Sequence, residues 1–314
     1  MKKLAVFALL FANANCARVQ PDVRVWTRLA GAGNHDFGCA VAADGFGNGV
    51  VVGATQGTVA GSNAGRFDLF IAKYDAAGNR LWARQRGTAE REFAHGVATD
   101  ARGDIYVTGY TGSGLDGNTS YGLWDVFLMK FDSAGNWQWT RQDGTGREDE
   151  GRAITTDSSG NVFITGCVRG DFHGITRAGA ADVFISKYDP SGTRLWSAVF
   201  GSAEVDESFG IACDASGNVF VTGWCGGSIE GNPYLANGDN FLVKYDGSGR
   251  RQWLRQWGTG NKDTGYALAC DAGGNVYVSG YTTGPLYRPP LGNRDCFLAK
   301  YDASGRLLWG CLLY

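Results

Sequence analysis

Proline, histidine and methionine are all scarce in this chain, at six, three and two in 314 residues. With 49 Gly against so little Pro, the composition suits many tight turns rather than disorder. An excess of either charge is also lacking. The net charge is −2, and Lys and Arg recur singly, not in blocks, so nothing predicts binding to a phosphate backbone. Beyond the N-terminus no run is apolar enough to cross a membrane as a helix. C-x-x-C and zinc spacings are missing. So are H-E-x-x-H, the P-loop and G-x-S-x-G, and His35, His95 and His173 are scattered. Helix signals are absent throughout.

What the chain does have is a period. Lys73, Lys130, Lys187, Lys244 and Lys300 follow one another at steps of 57, 57, 57 and 56 residues. Trp26, Trp82, Trp139, Trp196, Trp253 and Trp309 recur at steps of 56 or 57. A fixed period of this size means stacked supersecondary units, and it outranks any local motif in deciding the fold.

Each unit carries four strand signals. The first is a small-residue run before an Asp: Cys39 to Asp44, His95 to Asp100, Ala153 to Asp157, Gly210 to Asp214 and Ala267 to Asp271. The second is β-branched and aromatic, as in Val162 to Gly166. The third begins at an acid, as in Asp125 to Asp132. The fourth contains the tryptophan. Asp-x-x-Gly linkers between strands one and two, and between three and four, read as hairpins: Asp caps the turn and Gly supplies positive φ. The expected fold is all-β: a β-propeller of four-stranded antiparallel blades, five complete units, with an extra N-terminal outer strand at Val23 to Ala30. Strand one has small residues for the crowded axis, and the tryptophan strand is outermost. Either five blades close with one redundant strand, or the parent ring has six or seven.

The residues Gly210-Ile-Ala-Cys-Asp214 and Gly217-Asn-Val-Phe-Val-Thr-Gly223 resemble the bacterial β-propeller repeat called SBBP, and more distantly NHL repeats. The resemblance covers about residues 26–314 and implies the fold; the residues it shares are structural. Segments such as Tyr188 to Trp196 are also similar to Asp-box turns and to the tryptophan-docking motif of quinoprotein dehydrogenases. Those enzymes typically have eight blades and many have a vicinal Cys pair, and this chain has neither.

Met1-Lys2-Lys3 followed by Leu4 to Ala12 reads as an export signal, with Ala12-Asn13-Ala14 as a small-x-small cleavage site. The expected domains are a signal peptide at 1–14 and a propeller at 23–314. Cys16 gives the competing reading, a lipoprotein with a leader of 1–15 and a lipid anchor, although Asn15 is not the small residue such sites prefer. Localisation is then periplasmic, outer-membrane-anchored or extracellular. Eight cysteines are compatible with an oxidising compartment. Cys213 with Cys270, or Cys167 with Cys225, can bridge adjacent units; the other reading is unpaired buried thiols.

Two loop families share one face: those entering strand one and those between strands two and three. The first carries one recurring acid: Asp36, Glu92, Asp149, Asp206 and Asp263. Each either accepts N–H bonds in its own turn or joins a carboxylate ring able to hold Ca²⁺ through oxygen ligands. No other cofactor is expected. The second family varies and carries Tyr121, Trp124, Trp224, Tyr234 and Tyr287, where recognition of sugars or basic peptides is expected. The alternative is that these aromatics pack the loops onto the blades. Acids opening strand three (Asp68, Asp125, Asp182, Asp239, Asp295) and arginines in the tryptophan strand read as structural. No catalytic set is legible. The reading is an exported binding or scaffolding module for a protein or glycan, and the alternative is a glycan-active hydrolase or lyase using acids of this face. Exported protein should begin at Asn15 or at a lipidated Cys16, and intact-mass measurement of the secreted form checks this.

Overall fold

The computed structural model describes residues 27, 28, 31–290 and 292–313. The expected leader, Cys16 and Trp26 lie outside these residues. Twenty strands form five four-stranded antiparallel sheets, each ordered as in the sequence. Blade one holds β1 (Asp36–Ala43), β2 (Gly49–Thr55), β3 (Asp68–Tyr74) and β4 (Arg80–Arg86). Blade two holds β5 (Glu92–Thr99), β6 (Ile105–Thr111), β7 (Asp125–Phe131) and β8 (Trp137–Asp143). Blade three holds β9 (Glu150–Thr156), β10 (Val162–Val168), β11 (Asp182–Tyr188) and β12 (Arg194–Phe200). Blade four holds β13 (Asp206–Cys213), β14 (Val219–Cys225), β15 (Asp239–Tyr245) and β16 (Arg251–Trp257). Blade five holds β17 (Asp263–Cys270), β18 (Val276–Thr282), β19 (Asp295–Tyr301) and β20 (Leu307–Leu313).

The hairpins form because one carboxylate organises each turn. Asp132 Oδ1 accepts from Ala134 N at 3.0 Å and Asn136 N at 2.8 Å, and its Oδ2 accepts from Asn136 Nδ2 at 2.8 Å. Gly135 supplies the left-handed φ of 81°. The middle strands are buried on both faces, as their continuous apolar runs require: every residue of β7 and β11 is buried.

First strands pack side by side, β1 on β5, β5 on β9, β9 on β13 and β13 on β17, and so mark the axis; tryptophan strands are outermost. Among the described residues no comparable packing joins β17 back to β1. The five blades therefore form an open arc, not a closed five-bladed ring. The seven described cysteines are free thiols, so neither candidate bridge is formed.

The first strands begin earlier than the small-residue runs suggested, at Glu92 and Glu150 rather than His95 and Ala153. A β-bulge explains the difference. In each blade the ladder between strands one and two skips one residue: Cys39, His95, Arg152, Phe209 and Tyr266. The bulge breaks the alternation, so the residues before it do not read as strand. The facing residue of strand two is glycine for a steric reason: a Cβ on Gly109 would lie 1.8 Å from the Phe93 carbonyl oxygen, and one on Gly166 1.8 Å from that of Glu150.

One repeated contact joins each blade to the next. Lys73, Lys130, Lys187 and Lys244 donate to the carbonyls of Ser133, Pro190, Gly247 and Ala303, at 3.2, 3.2, 3.1 and 3.2 Å. Arg84 and Arg141 Nε donate to Gly135 and Gly192 O at 2.8 and 2.9 Å. The tryptophan ring lies flat on the same turn: a Cβ on Gly192 would sit 3.0 Å from Trp139. Gly192 also has φ 83°, so Gly192→Val combines backbone strain with loss of the ring seat. Urea unfolding should show a loss of about 3 kcal/mol.

Candidate functional site

The recurring acids are held by their own turns. Glu92 accepts from Thr88 N and Oγ1, both at 2.7 Å, and from Thr111 Oγ1 at 2.9 Å. Asp149 accepts from Thr145 N and from Arg169 N, the latter at 2.9 Å. Asp206 accepts from Ser202 N at 2.6 Å and Gly226 N at 3.2 Å. Asp263 accepts from Thr259 N at 2.6 Å, and Asp36 from Ala32 N at 2.7 Å. The contact to the N–H four residues back is common to all five. These carboxylates thread the entry loop of strand one to the loop after strand two, and they do not converge. Among the described residues no three His, Cys, Asp or Glu side chains are grouped so as to hold a metal ion.

The loops they organise do lie on one face. Phe67, Trp124 and Ala181 form parallel bridges to Arg91, Glu148 and Val205, joining the two loop families edge to edge. Trp124 stacks on Tyr110 with ring centroids 4.8 Å apart. Trp224 receives Lys262 Nζ 5.0 Å above its ring. Tyr234 accepts from Gly238 N at 3.1 Å and closes its own loop, while Tyr121 is exposed and its N–H donates to Asp125. Tyr287 packs edge-on to Phe297.

The residues that face the axis are others. One follows each recurring acid: Phe37, Phe93, Glu150, Glu207 and Thr264. The bulge residues Cys39, His95, Arg152, Phe209 and Tyr266 come two places later. Opposite the first set, strand two contributes Ala54, Tyr110, Cys167, Trp224 and Tyr281. The backbone repeats in every blade, and the side chains do not.

Together they form a charged centre between two aromatic arms. Arg152 lies 3.0 Å from Glu150 and 3.9 Å from Glu207, and its guanidinium carbon is 5.5 Å from the Phe209 ring centre. Arg169 reaches Glu207 at 3.7 Å and Glu148 at 3.8 Å. Phe209, Tyr266 and Tyr281 run on from it at centroid spacings of 5.0 and 5.8 Å. On the other side Phe93 stacks on Tyr110 at 5.3 Å, with His95 edge-on to Tyr110 at 5.5 Å. His95 Nδ1 and Arg152 Nε are buried and make no hydrogen bond among the described residues, and Arg169 Nε has only the 3.8 Å approach of Glu148.

Burial and the neighbouring charges tune these groups. Burial pushes His95 down to about 4, and the Arg152 charge adds to the effect, so the imidazole is neutral at pH 7. Burial raises the Glu150 carboxyl; Arg152 pulls it back and Glu207 opposes that pull. Burial raises the Tyr110 phenol to about 12.

A recurring acid does not point to this set, because these positions do not recur in residue type. The available signal was the opposite one: a position of fixed spacing from the acid, filled by Cys, His, Arg, Phe and Tyr in turn. A variable residue on an invariant frame is the pattern recognition surfaces share.

The family model of the SBBP β-propeller repeat matches residues 81–116, 138–166 and 252–287. An uncharacterised WD repeat-containing protein, L264, of Acanthamoeba polyphaga mimivirus is 26% identical over 224 residues, covering 54% of this chain and 16% of that protein. The regulatory protein FlaEY of Caulobacter vibrioides is 27% identical over 167 residues, covering 48% of this chain and 18% of that one. The chain thus spans less than a fifth of the length of either relative. A solved structure of a protein of unknown function from Bacteroides caccae has a TM-score of 0.49 at 14% identity, covering 88% of this chain and 82% of that one.

Two buried groups on this face should show opposite pH slopes. Burial raises Asp206 to about 6 from an ordinary 3.8, so its contribution to stability is full below 3.8 and lost as pH rises through 6. His95 falls to about 4 from an ordinary 6.5, so its contribution is full above 6.5 and lost as pH falls through 4. The stability gap between wild type and Asp206→Asn should therefore widen from pH 7.5 to 5, and that for His95→Gln should narrow. Each change should be on the order of 2 kcal/mol by urea titration at both pH values.

Proposed function

We propose that this chain of SBBP β-propeller repeats is an exported binding module whose ligand is a glycan seated at the axial mouth. The observation that carries this reading is the set of five bulge residues, which share one backbone geometry and differ in every side chain. Bulges re-aim side chains and gather near functional sites. Sugars present apolar C–H faces for aromatic platforms and hydroxyls that need both donors and acceptors. Phe93, Phe209, Tyr266 and Tyr281 offer the platforms, and Arg152, Arg169, Glu150 and Glu207 offer the polar partners. A purely basic peptide is disfavoured, because cations stand among the acids: Arg152 and Arg169 at the centre, Lys262 over Trp224 and Arg294 over Tyr281.

The test is calorimetric titration with a panel of short neutral and uronate oligosaccharides. At least one should bind, and Tyr266→Ala and Arg152→Met should each weaken it about tenfold, a loss near 1.4 kcal/mol. Asp263→Asn should lower stability and leave affinity for the same sugar unchanged. No binding across the panel, or equal weakening by Asp263→Asn, counts against the reading.

One observation favours a second reading, a glycan-cleaving enzyme. Glu150 is raised by burial and shares Arg152 with Glu207, which pairs an acid inclined to hold its proton with a second carboxyl nearby. Reducing-end release from the bound oligosaccharide, abolished in Glu150→Gln with binding retained, would select this reading over simple binding.

A further inference from the structure

We infer that the outer groove between blades one and two is a binding site, separate from the axial mouth, for a small organic monocarboxylate with an apolar body. The groove is a cavity of about 530 Å³, walled by β4 on one side and by the turn before β8 and the loop at Asp116 on the other. Arg84 and Arg86 alternate along β4, so both project from the face turned toward blade two. Arg84 Nε donates to Gly135 O at 2.8 Å. Arg86 lies over the Trp137 ring, its guanidinium carbon 4.7 Å from the ring centre. Among the described residues that line the cavity Asp116 is the one acid, so the wall carries two cations against one anion.

The corresponding grooves show what is different here. The tryptophan strands of blades one to four end in Arg86, Asp143, Phe200 and Trp257. The last three meet a tyrosine of the next blade. Tyr188 donates to Asp143 Oδ2 at 2.7 Å, and ring centres are 6.3 Å apart for Phe200 and Tyr245 and 5.3 Å apart for Trp257 and Tyr301. In the first groove that tyrosine is replaced by Phe131, which has no hydroxyl to offer. Arg86 turns instead to Asp116, which also accepts from Thr140 Oγ1. The second arginine differs too. Arg141 Nη2 donates to Ser191 O at 3.2 Å and Arg255 Nη2 to Ser304 O at 3.1 Å. Arg84 bonds through Nε and Nη1, and its Nη2 has no acceptor among the described residues.

These features specify the ligand. An unspent guanidinium edge is matched by a carboxylate, whose planar oxygens suit its fixed donors. With Arg84 and Arg86 on one wall and Asp116 on the other, a monoanion brings the groove to neutrality. A dianion would leave a net negative charge beside Asp116. The body of the ligand has an aromatic platform, because Trp137 is 40% exposed even with Arg86 over its ring. The volume is that of a small-molecule pocket. Asp116 opposes the ligand's charge and so limits its affinity. Its φ of 52° is one that Asn also adopts, so the charge can be removed with the backbone kept.

The test is calorimetric titration of the full chain with benzoate, phenylacetate and sulfate. At least one of the two carboxylates should bind saturably, with a Kd on the order of 1 mM or tighter. Arg84→Gln should weaken that binding about tenfold. Arg141→Gln removes the same kind of inter-blade bond from the next groove, and it should leave the affinity unchanged. Asp116→Asn should tighten binding several-fold, a gain that a loosened fold does not imitate. No saturable binding by either carboxylate overturns the inference. Sulfate bound as tightly as the better carboxylate also overturns it, because the groove would then take any anion. Equal weakening by Arg84→Gln and Arg141→Gln, or weaker binding by Asp116→Asn than by wild type, places the carboxylate elsewhere and does the same.

Discussion

Everything in this molecule hangs on a buried ammonium group that serves two blades at once. Lys73 bonds the turn carboxylate of its own blade, Asp44, and a turn carbonyl of the next blade, with both side chains almost wholly withdrawn from water. Removing one partner of such a pair leaves an uncompensated buried charge, typically at a cost of about 3–5 kcal/mol. The geometry is met only if the next blade brings its Asp-x-x-Gly turn to one place, with glycine under the tryptophan. The angle between blades is thus set by a polar contact with direction, and apolar burial fills the space that contact defines. Hydrophobic packing alone would tolerate sliding, and this contact does not.

Much of the fold was legible because this contact needs particular residue types at a particular spacing. Lys, Trp, Asp and Gly recur at one period, and the four strands between them follow from alternation and turn chemistry. The start of the first strand is the part the pattern does not show. Its opening residues, Glu92 to Ala94 and their counterparts, lie before a bulge, where the alternation of faces is interrupted. The axial site was hidden for a related reason. Arg152 and Phe209 hold the same bulge position in neighbouring blades and have nothing in common chemically, so only a register taken from the structure shows them to be partners.

The axial face carries two kinds of carboxylate, and they answer different needs. Asp206 and its counterparts are bound to their own turns and recur in every blade, as a structural component should. Strand-three acids stand close behind them: a Cβ on Gly201 would meet both Asp206 Oδ2 at 2.6 Å and Asp182 Oδ1 at 2.8 Å. Glycine at that point is what lets two acids of adjacent blades approach. Glu150 and Glu207 are the other kind. They occur in only two blades, are bridged by an arginine and face the axis. Symmetry of role marks the first kind as framework, and the second kind breaks the symmetry of the blades.

The bulge has a consequence for how such a protein can change over generations. Each blade places one side chain outside the alternation that governs its strand, with a glycine opposite and the axis in front. A substitution there leaves the sheet's pairing unaltered. Cys39, His95, Arg152, Phe209 and Tyr266 therefore sit in five sockets that selection can refill one at a time. The fold holds its shape while the chemistry of its mouth is rewritten residue by residue.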